Sequence, residues 1–339
     1  MAQTPLDDPS QRPAMHYEQC TANDGCPLAF QTSLPLTQGT LAAGPKYNTC
    51  ILLMHGFSGS SEYFTRNFDA LSKHYWVVAP DMRGHGRSGR TKGGYHVARL
   101  ASDLNDLVTH LVFERPRVSP PAADDKPLTV VPVGCSIGAA VLWTYVEIFG
   151  SAAFQFSGFV FVDQAPVQDR SRFDGWDASK AHRGCYDEAT LLAAQEAWIS
   201  RPAETHLSLV AECLGYRHAP DNEDNVSSEQ RARDEAFFTA ISAQCDGTWL
   251  ARLLADHTRY DHREALEEIA VPTLVMAGWR SGCFPFAGMR EIIDRIKHSG
   301  KVDETRVTVS VYGSGHWLFY EQPEQFNRDV LEFVGRCAS

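Results

Sequence analysis

Short apolar runs alternate along this chain with longer amphipathic segments, and this alternation limits the folds that the chain can adopt. Apolar runs bounded by turn-forming residues are typical of buried strands, and apolar residues at helical spacing are typical of helices. The predicted strands are 50–54, 75–79, 128–133, 158–162, 273–277 and 306–311. The predicted helices are 61–72, 97–113, 138–149, 288–298 and 323–334. This order predicts an α/β fold with a mostly parallel central sheet and helices on both of its faces.

The alternation stops between residues 165 and 269, where the pattern is helical and rich in aromatic residues. We interpret 165–269 as a helical cap inserted between two strands of the sheet. The other boundaries follow from this interpretation. Residues 1–14 are expected to be a flexible polar tail, 15–164 the first part of the α/β core, and 270–339 its second part.

Charge and cysteine content restrict the partners that this chain can have. The formal net charge is -11 at pH 7, which argues against nucleic acid or a membrane surface as a partner. No secretory signal is visible, and no apolar run reaches the roughly 18 residues of a spanning helix. The nine cysteines form no Cys-x-x-Cys pair, so a metal site is not expected. We expect a cytoplasmic protein with a small-molecule substrate and no cofactor, and the oligomeric state is left open.

The segment 134–138 reads Gly-Cys-Ser-Ile-Gly and directly follows a predicted strand and precedes a predicted helix. A sharp strand-to-helix turn crowds the backbone around its central residue, and glycines two positions away on either side remove the clashes. The hydroxyl of Ser136 is then exposed at the carboxyl edge of the sheet. Ser136 is therefore the candidate nucleophile.

A serine hydroxyl needs a neighbouring base to take its proton, and thirteen histidines are available. His316 is the candidate, because it lies in the glycine-containing loop between the last predicted strand and the last predicted helix. The loop 55–59 follows the first predicted strand. The backbone N–H groups of Phe57 and Ile137 are the candidate donors to the oxyanion of a tetrahedral intermediate.

Four segments in this order resemble the α/β-hydrolase superfamily: 55–57, 81–88, 134–138 and 313–316. The resemblance is to the branch that includes small esterases, lactonases, haloperoxidase-like proteins and C–C bond hydrolases. It covers about residues 25 to 335 and is weakest in the predicted cap. The segment Asp-Met-Arg-Gly-His-Gly-Arg-Ser at 81–88 is a hallmark of that branch, and we expect its role to be structural.

The triad acid departs from the pattern that this resemblance implies. In similar proteins the acid follows the strand after the cap, but residues 278–285 contain no carboxylate, and Ser281 stands where the acid would be. Asp163, at the end of the strand before the cap, is the alternative acid. Its position keeps the order nucleophile, acid, base. The competing interpretation is that Asp163 only shapes the turn into the cap.

These residues predict hydrolysis of a carboxylic ester, thioester or lactone through an acyl-enzyme, with an apolar, medium-sized acyl or alcohol group in the pocket. The predicted pocket residues are His55, Trp176 and Trp279. Two alternatives stay open. One is a non-hydrolytic acyl transferase, C–C hydrolase or cyclising enzyme of small-molecule biosynthesis. The other is a small-molecule receptor built on the hydrolase fold, since fold does not fix function.

Overall fold

The computed structural model describes residues 16–34, 48–114, 128–151, 156–169, 176–184, 187–218 and 226–338. Eight strands form one sheet in the order β1-β2-β4-β3-β5-β6-β7-β8. Their bounds are β1 Tyr17–Thr21, β2 Pro27–Thr32, β3 Thr49–Met54, β4 Trp76–Pro80, β5 Thr129–Cys135, β6 Phe159–Val162, β7 Thr273–Gly278 and β8 Val307–Tyr312. All pairings are parallel except β1 with β2 and β2 with β4. The predicted α/β fold with a mostly parallel sheet is therefore confirmed.

Every residue of β3, β4, β6 and β7 is buried, and so is every residue of β5 except the half-buried Thr129. Central strands of a parallel sheet are covered on both faces, which is why these strands are continuous apolar runs in the sequence. The edge strand β8 instead alternates between buried and more exposed residues. The hairpin of β1 and β2 was not predicted, because Tyr17–Thr21 is polar enough to resemble a loop.

Eleven α-helices occur in the described residues. Their bounds are α1 Phe68–Ser72, α2 Val97–Thr109, α3 Ile137–Phe149, α4 Glu188–Ser200, α5 Pro202–Cys213, α6 Ser228–Ser242, α7 Gly247–Arg259, α8 Arg263–Glu267, α9 Phe286–Ser299, α10 Leu318–Glu321 and α11 Pro323–Ala338. Among the helices of the sheet layers, α2 packs on α3, and α1 packs on α11. None of the described helices combines the length and the apolar character needed to cross a bilayer.

The helices α4 to α8 lie between β6 and β7, within the segment predicted to be a cap. Of these, α4 packs on α5 and α7, and α5 packs on α6. The last one, α8, packs on α3 and α9, which belong to the helices around the sheet. The helices of this insertion that pack on one another are therefore α4 to α7. The predicted tail 1–14 lies outside the described residues.

The turn 81–88 is held by its own charged side chains. The carboxylate of Asp81 accepts hydrogen bonds from the backbone N–H groups of Ser61, at 2.7 Å, and Arg87, at 2.8 Å. The guanidinium of Arg83 is buried and forms two hydrogen bonds with each of the carboxylates of Asp24 and Asp103. These contacts fasten the turn to β1–β2 and α2, which is a structural role.

Replacing Arg83 by methionine is expected to lower the free energy of unfolding by about 3 kcal/mol, because the buried carboxylate of Asp103 loses one of its two arginine partners and keeps only Arg99. Arg290→Met is the matched control, since Arg290 is exposed and lies 3.8 Å from an exposed Asp294. Its cost should stay below about 1 kcal/mol. Urea unfolding followed by circular dichroism measures both, and equal losses would contradict the structural role of Arg83.

Candidate active site

Ser136 occupies the turn between β5 and α3 in a strained backbone conformation. Its φ is 54° and its ψ is -125°, a left-handed region that a residue with a side chain rarely adopts. The backbone N–H of Ser136 donates to the carbonyl of Val162, at 2.9 Å, which ties the turn to β6. Strain of this kind persists only where the surrounding structure enforces it, and it is concentrated at functional sites.

The two glycines of the segment 134–138 are required by close backbone contacts. A Cβ atom on Gly134 would lie 2.7 Å from the backbone nitrogen of Ala139. A Cβ atom on Gly138 would lie 2.9 Å from the carbonyl oxygens of Met54 and His55. Neither contact can be relieved by a side-chain movement, because the atoms belong to the backbone.

His316 and Asp163 are in direct contact at the same edge of the sheet. Nδ1 of His316 lies 2.6 Å from Oδ2 of Asp163. Asp163 directly follows β6 and has a φ of 48°, whereas His316 lies in the loop between β8 and α10. The backbone N–H of His316 also donates to the carbonyl of Cys213, at 2.8 Å, which connects this loop to the end of α5.

Ser281 supports the carboxylate of Asp163. Its hydroxyl donates to Oδ2 of Asp163, at 2.6 Å, and the backbone N–H of Gly278 donates to Oδ1, at 2.8 Å. The hydroxyl oxygen of Ser281 in turn lies within reach of the N–H groups of Cys283 and Phe284. Ser281 therefore donates a hydrogen bond to the carboxylate of Asp163 and does not itself contact His316 as an acid would.

Burial and neighbouring charges shift the pKa values of Asp163, His316 and Glu212. Burial raises the pKa of Asp163, but its three hydrogen-bond donors stabilise the ionised form. Burial would lower the pKa of His316, but the negative charges of Cys283 and Asp163 outweigh it and raise that pKa to about 9. We therefore take Asp163 as the carboxylate and His316 as the group that takes up a proton. Glu212 is also close, and burial raises its pKa to about 7.

Ser136 and His316 both line a cavity of about 370 Å³. The loop after β3 contributes Gly56 and Phe57, and the rest of the wall comes mainly from the helical insertion. The lining residues from α4, α5 and α7 are Ala194, Ala197, Trp198, Glu204, Thr205, Ser208, Leu209, Glu212, Cys213, Leu254 and His257. The cavity is thus closed by sheet loops on one side and by helices α4, α5 and α7 on the other.

The two predicted oxyanion donors lie close to Ser136 in the fold. Ile137 is the first residue of α3, and the first N–H groups of a helix have no partner within the helix. Phe57 lines the cavity next to Gly56, where a Cβ atom would lie 3.2 Å from Cβ of Ser136. Sequence reasoning missed Gln164, whose Oε1 lies 3.5 Å from Oγ of Ser136.

None of the three predicted pocket residues is among the residues that line this cavity. His55 is fully buried, its Nδ1 bonds to the carbonyl of Gly56, and its Nε2 accepts from the N–H of Met82. Trp176 packs in a small separate cluster. Trp279 is 63% exposed. The aromatic residues that do line the cavity are Phe57, Trp198, Phe284 and Trp317.

Comparison with known proteins agrees with this architecture. An AB hydrolase superfamily protein of Bacillus subtilis, YisY, is 22% identical over 303 residues, which cover 84% of this chain and 90% of the relative. An esterase structure from Exiguobacterium antarcticum matches with a TM-score of 0.72 at 18% identity, covering 94% of this chain and 98% of the esterase. The enol-lactonase structure from Burkholderia xenovorans has a TM-score of 0.68 at 16% identity, with 94% and 100% covered.

The structural likenesses at this level of identity concern the fold. The family itself is shown by its sequence profile, described as the Alpha/beta hydrolase family, which matches residues 51–329. That match begins within β3 and includes the segment around Ser136, the helical insertion and the loop of His316. This chain therefore belongs to the Alpha/beta hydrolase family.

Proposed function

We propose that this protein is a serine hydrolase that cleaves a carboxylic ester, thioester or lactone of a small, partly apolar molecule through an acyl-enzyme. In this proposal Ser136 is the nucleophile, His316 the base and Asp163 the acid of the triad. The observation that carries it is the 2.6 Å contact between Asp163 and His316, beside a cavity that Ser136 and His316 both line.

The first chemical step depends on the protonation state of His316. His316 acts as the base in its neutral form, whose fraction increases as the pH rises through its pKa of about 9. In that form Nδ1–H is donated to Asp163, and Nε2 takes the proton of Ser136 Oγ. The oxygen of Ser136 attacks the carbonyl carbon, and the N–H groups of Phe57 and Ile137 stabilise the oxyanion. The imidazolium of His316 then protonates the leaving alcohol or thiol as its bond to carbon breaks. An acyl group remains on Ser136.

The second step repeats the first with water. His316 takes a proton from the water, whose oxygen attacks the acyl carbon and releases the acid as Ser136 recovers its proton. Asp163 stabilises the imidazolium in both steps without itself taking the proton. Membership of a hydrolase family supports the reaction type, and the solved esterase and enol-lactonase of the same fold are consistent with these substrate classes.

A rapid-mixing experiment with a p-nitrophenyl ester tests the proposal. We expect a burst of about one p-nitrophenolate per protein, followed by slower turnover, and an acyl adduct on Ser136 in the quenched protein. Retention of that adduct until a second alcohol or amine is added would favour the acyl transferase instead. Saturable binding without any burst would favour the receptor alternative.

The wall formed by α4 is expected to select the length of the acyl group. Ala197→Trp should fill part of the cavity and lower kcat/KM for octanoyl esters on the order of tenfold more than for acetyl esters. Ala193→Trp is the matched control, since Ala193 is exposed on the same helix and does not line the cavity. An equal ratio of the two activities in all three proteins would contradict a role of α4 in specificity.

A further inference from the structure

Two cysteines and the histidine of the proposed triad meet on the wall of the cavity. Sγ of Cys213 lies 3.8 Å from Sγ of Cys283, and both side chains are buried. A ring nitrogen of His316 completes the group, with all three ligand atoms within 4.8 Å of one another. Cys213 ends α5, Cys283 lies in the loop between β7 and α9, and His316 lies in the loop after β8.

The spacing of the two sulfurs matches that of a tetrahedral zinc site. A Zn–S bond is about 2.3 Å long, so two thiolates at the tetrahedral angle lie about 3.8 Å apart. The sulfurs of Cys213 and Cys283 have this separation already. Only the imidazole of His316 would need to approach, and its loop connects to Cys213 through a backbone hydrogen bond.

The surroundings also suit a bound cation. All three residues line the cavity, which gives an ion a path to them and leaves a fourth position for water. Asp163 holds Nδ1 of His316, as carboxylates commonly do for metal-bound histidines, so Nε2 is the ligand atom. Glu212 and His182 line the same cavity.

We propose that Cys213, Cys283 and His316 bind a thiophilic divalent cation, Zn²⁺, and that its binding reversibly inhibits the hydrolase. Binding requires both sulfurs as thiolates and Nε2 of His316 without its proton, so whatever protons these three groups hold are released to solvent. The lone pair on Nε2 of His316 is then engaged by the metal and is not available for the proton of Ser136. The binding site stands independently of the proposed function, whereas the inhibition rests on it.

Cobalt provides a direct probe of the ligands. The reduced, metal-free protein is titrated with Co²⁺, and the thiolate-to-cobalt charge-transfer band is recorded before Zn²⁺ is added to displace it. We expect one Co²⁺ per chain with this band present, and its loss on addition of Zn²⁺. A titration without the charge-transfer band would overturn the proposal, whatever the behaviour of any variant.

Cysteine variants test which residues supply the thiolates that bind Co²⁺. Cys213→Ser and Cys283→Ser should each weaken Co²⁺ binding at least about tenfold, since each removes a thiolate from the site. Cys245→Ser is the matched control, because Cys245 is a buried cysteine outside this cluster and should keep the wild-type affinity. Unchanged affinity in both Cys213→Ser and Cys283→Ser would overturn the site.

Ser136→Ala separates the metal site from the proposed function. This variant should bind Co²⁺ as the wild type does, because Ser136 is not a ligand. In the wild type, Zn²⁺ should inhibit ester hydrolysis, a chelator should reverse the inhibition, and Cys283→Ser should raise the inhibitory concentration by the same factor as the Co²⁺ dissociation constant. Hydrolysis that stays insensitive to Zn²⁺ while Co²⁺ binds would overturn the inhibition. Co²⁺ binding in a protein without hydrolysis would leave the site standing and reject the serine hydrolase.

Discussion

Ester hydrolysis is expected to fall by roughly 10⁴- to 10⁶-fold when Ser136 is replaced by alanine, because the covalent route is lost. His316→Ala should cost a comparable factor, since Ser136 Oγ then has no base for its proton. The nucleophile and its base act as one unit, so the double variant should be no worse than about tenfold below either single variant. The measurement is kcat/KM for a p-nitrophenyl acetate, with folding checked by circular dichroism.

Two outcomes would contradict this assignment. Near wild-type turnover in Ser136→Ala would remove the serine from the mechanism. A double variant far below both single variants would mean that Ser136 and His316 act separately. Ser281 provides no alternative nucleophile, since its hydroxyl is bonded to Asp163 and to the loop that follows it.

Asp163→Asn is the second change with a large expected effect. Asparagine keeps the shape of the side chain but removes the charge that supports the imidazolium of His316, so kcat/KM should fall by about 10⁴-fold. Ser281→Ala should cost much less, because Asp163 keeps its contacts with Gly278 and His316. Asp303→Asn is the control for loss of a carboxylate, since Asp303 is exposed and should leave kcat/KM unchanged.

The comparison between Asp163→Asn and Ser281→Ala decides which residue orients His316. A small loss in Asp163→Asn together with a large loss in Ser281→Ala would assign that role to Ser281. The geometry favours Asp163, because its carboxylate contacts Nδ1 of His316, whereas the hydroxyl of Ser281 contacts Asp163. Ser281 then acts as a positioning residue, and its replacement should alter kcat far less than replacement of Asp163.

The central strands could be predicted from sequence because they are buried on both faces. Their residues are continuous apolar runs, so β3 to β7 were found within one or two residues of their bounds. The candidate triad followed from the same signal, since Ser136, Asp163 and His316 each directly follow a strand or lie in the loop after one. In a parallel sheet the carboxyl ends of neighbouring strands share an edge, so such residues meet.

The pocket wall could not be predicted, because it depends on how the helices of the insertion pack over the sheet. Trp198 and Glu212 face the cavity, whereas Trp176 does not, although all three lie in the same helical segment of the sequence. The cluster of Cys213, Cys283 and His316 was not predicted from the sequence for a related reason. Cys213 and Cys283 are 70 residues apart, so no local spacing such as Cys-x-x-Cys marks them.

Fluorophosphonate labelling of the folded, metal-free protein tests the central claim most directly. The reagent phosphonylates an activated serine, so intact-mass measurement and peptide mapping identify the nucleophile. The account predicts one adduct per chain, located on Ser136, with labelling lost in Ser136→Ala and strongly slowed in His316→Ala. An unlabelled wild-type protein, or an adduct on another residue of the cavity such as Cys283, would contradict it.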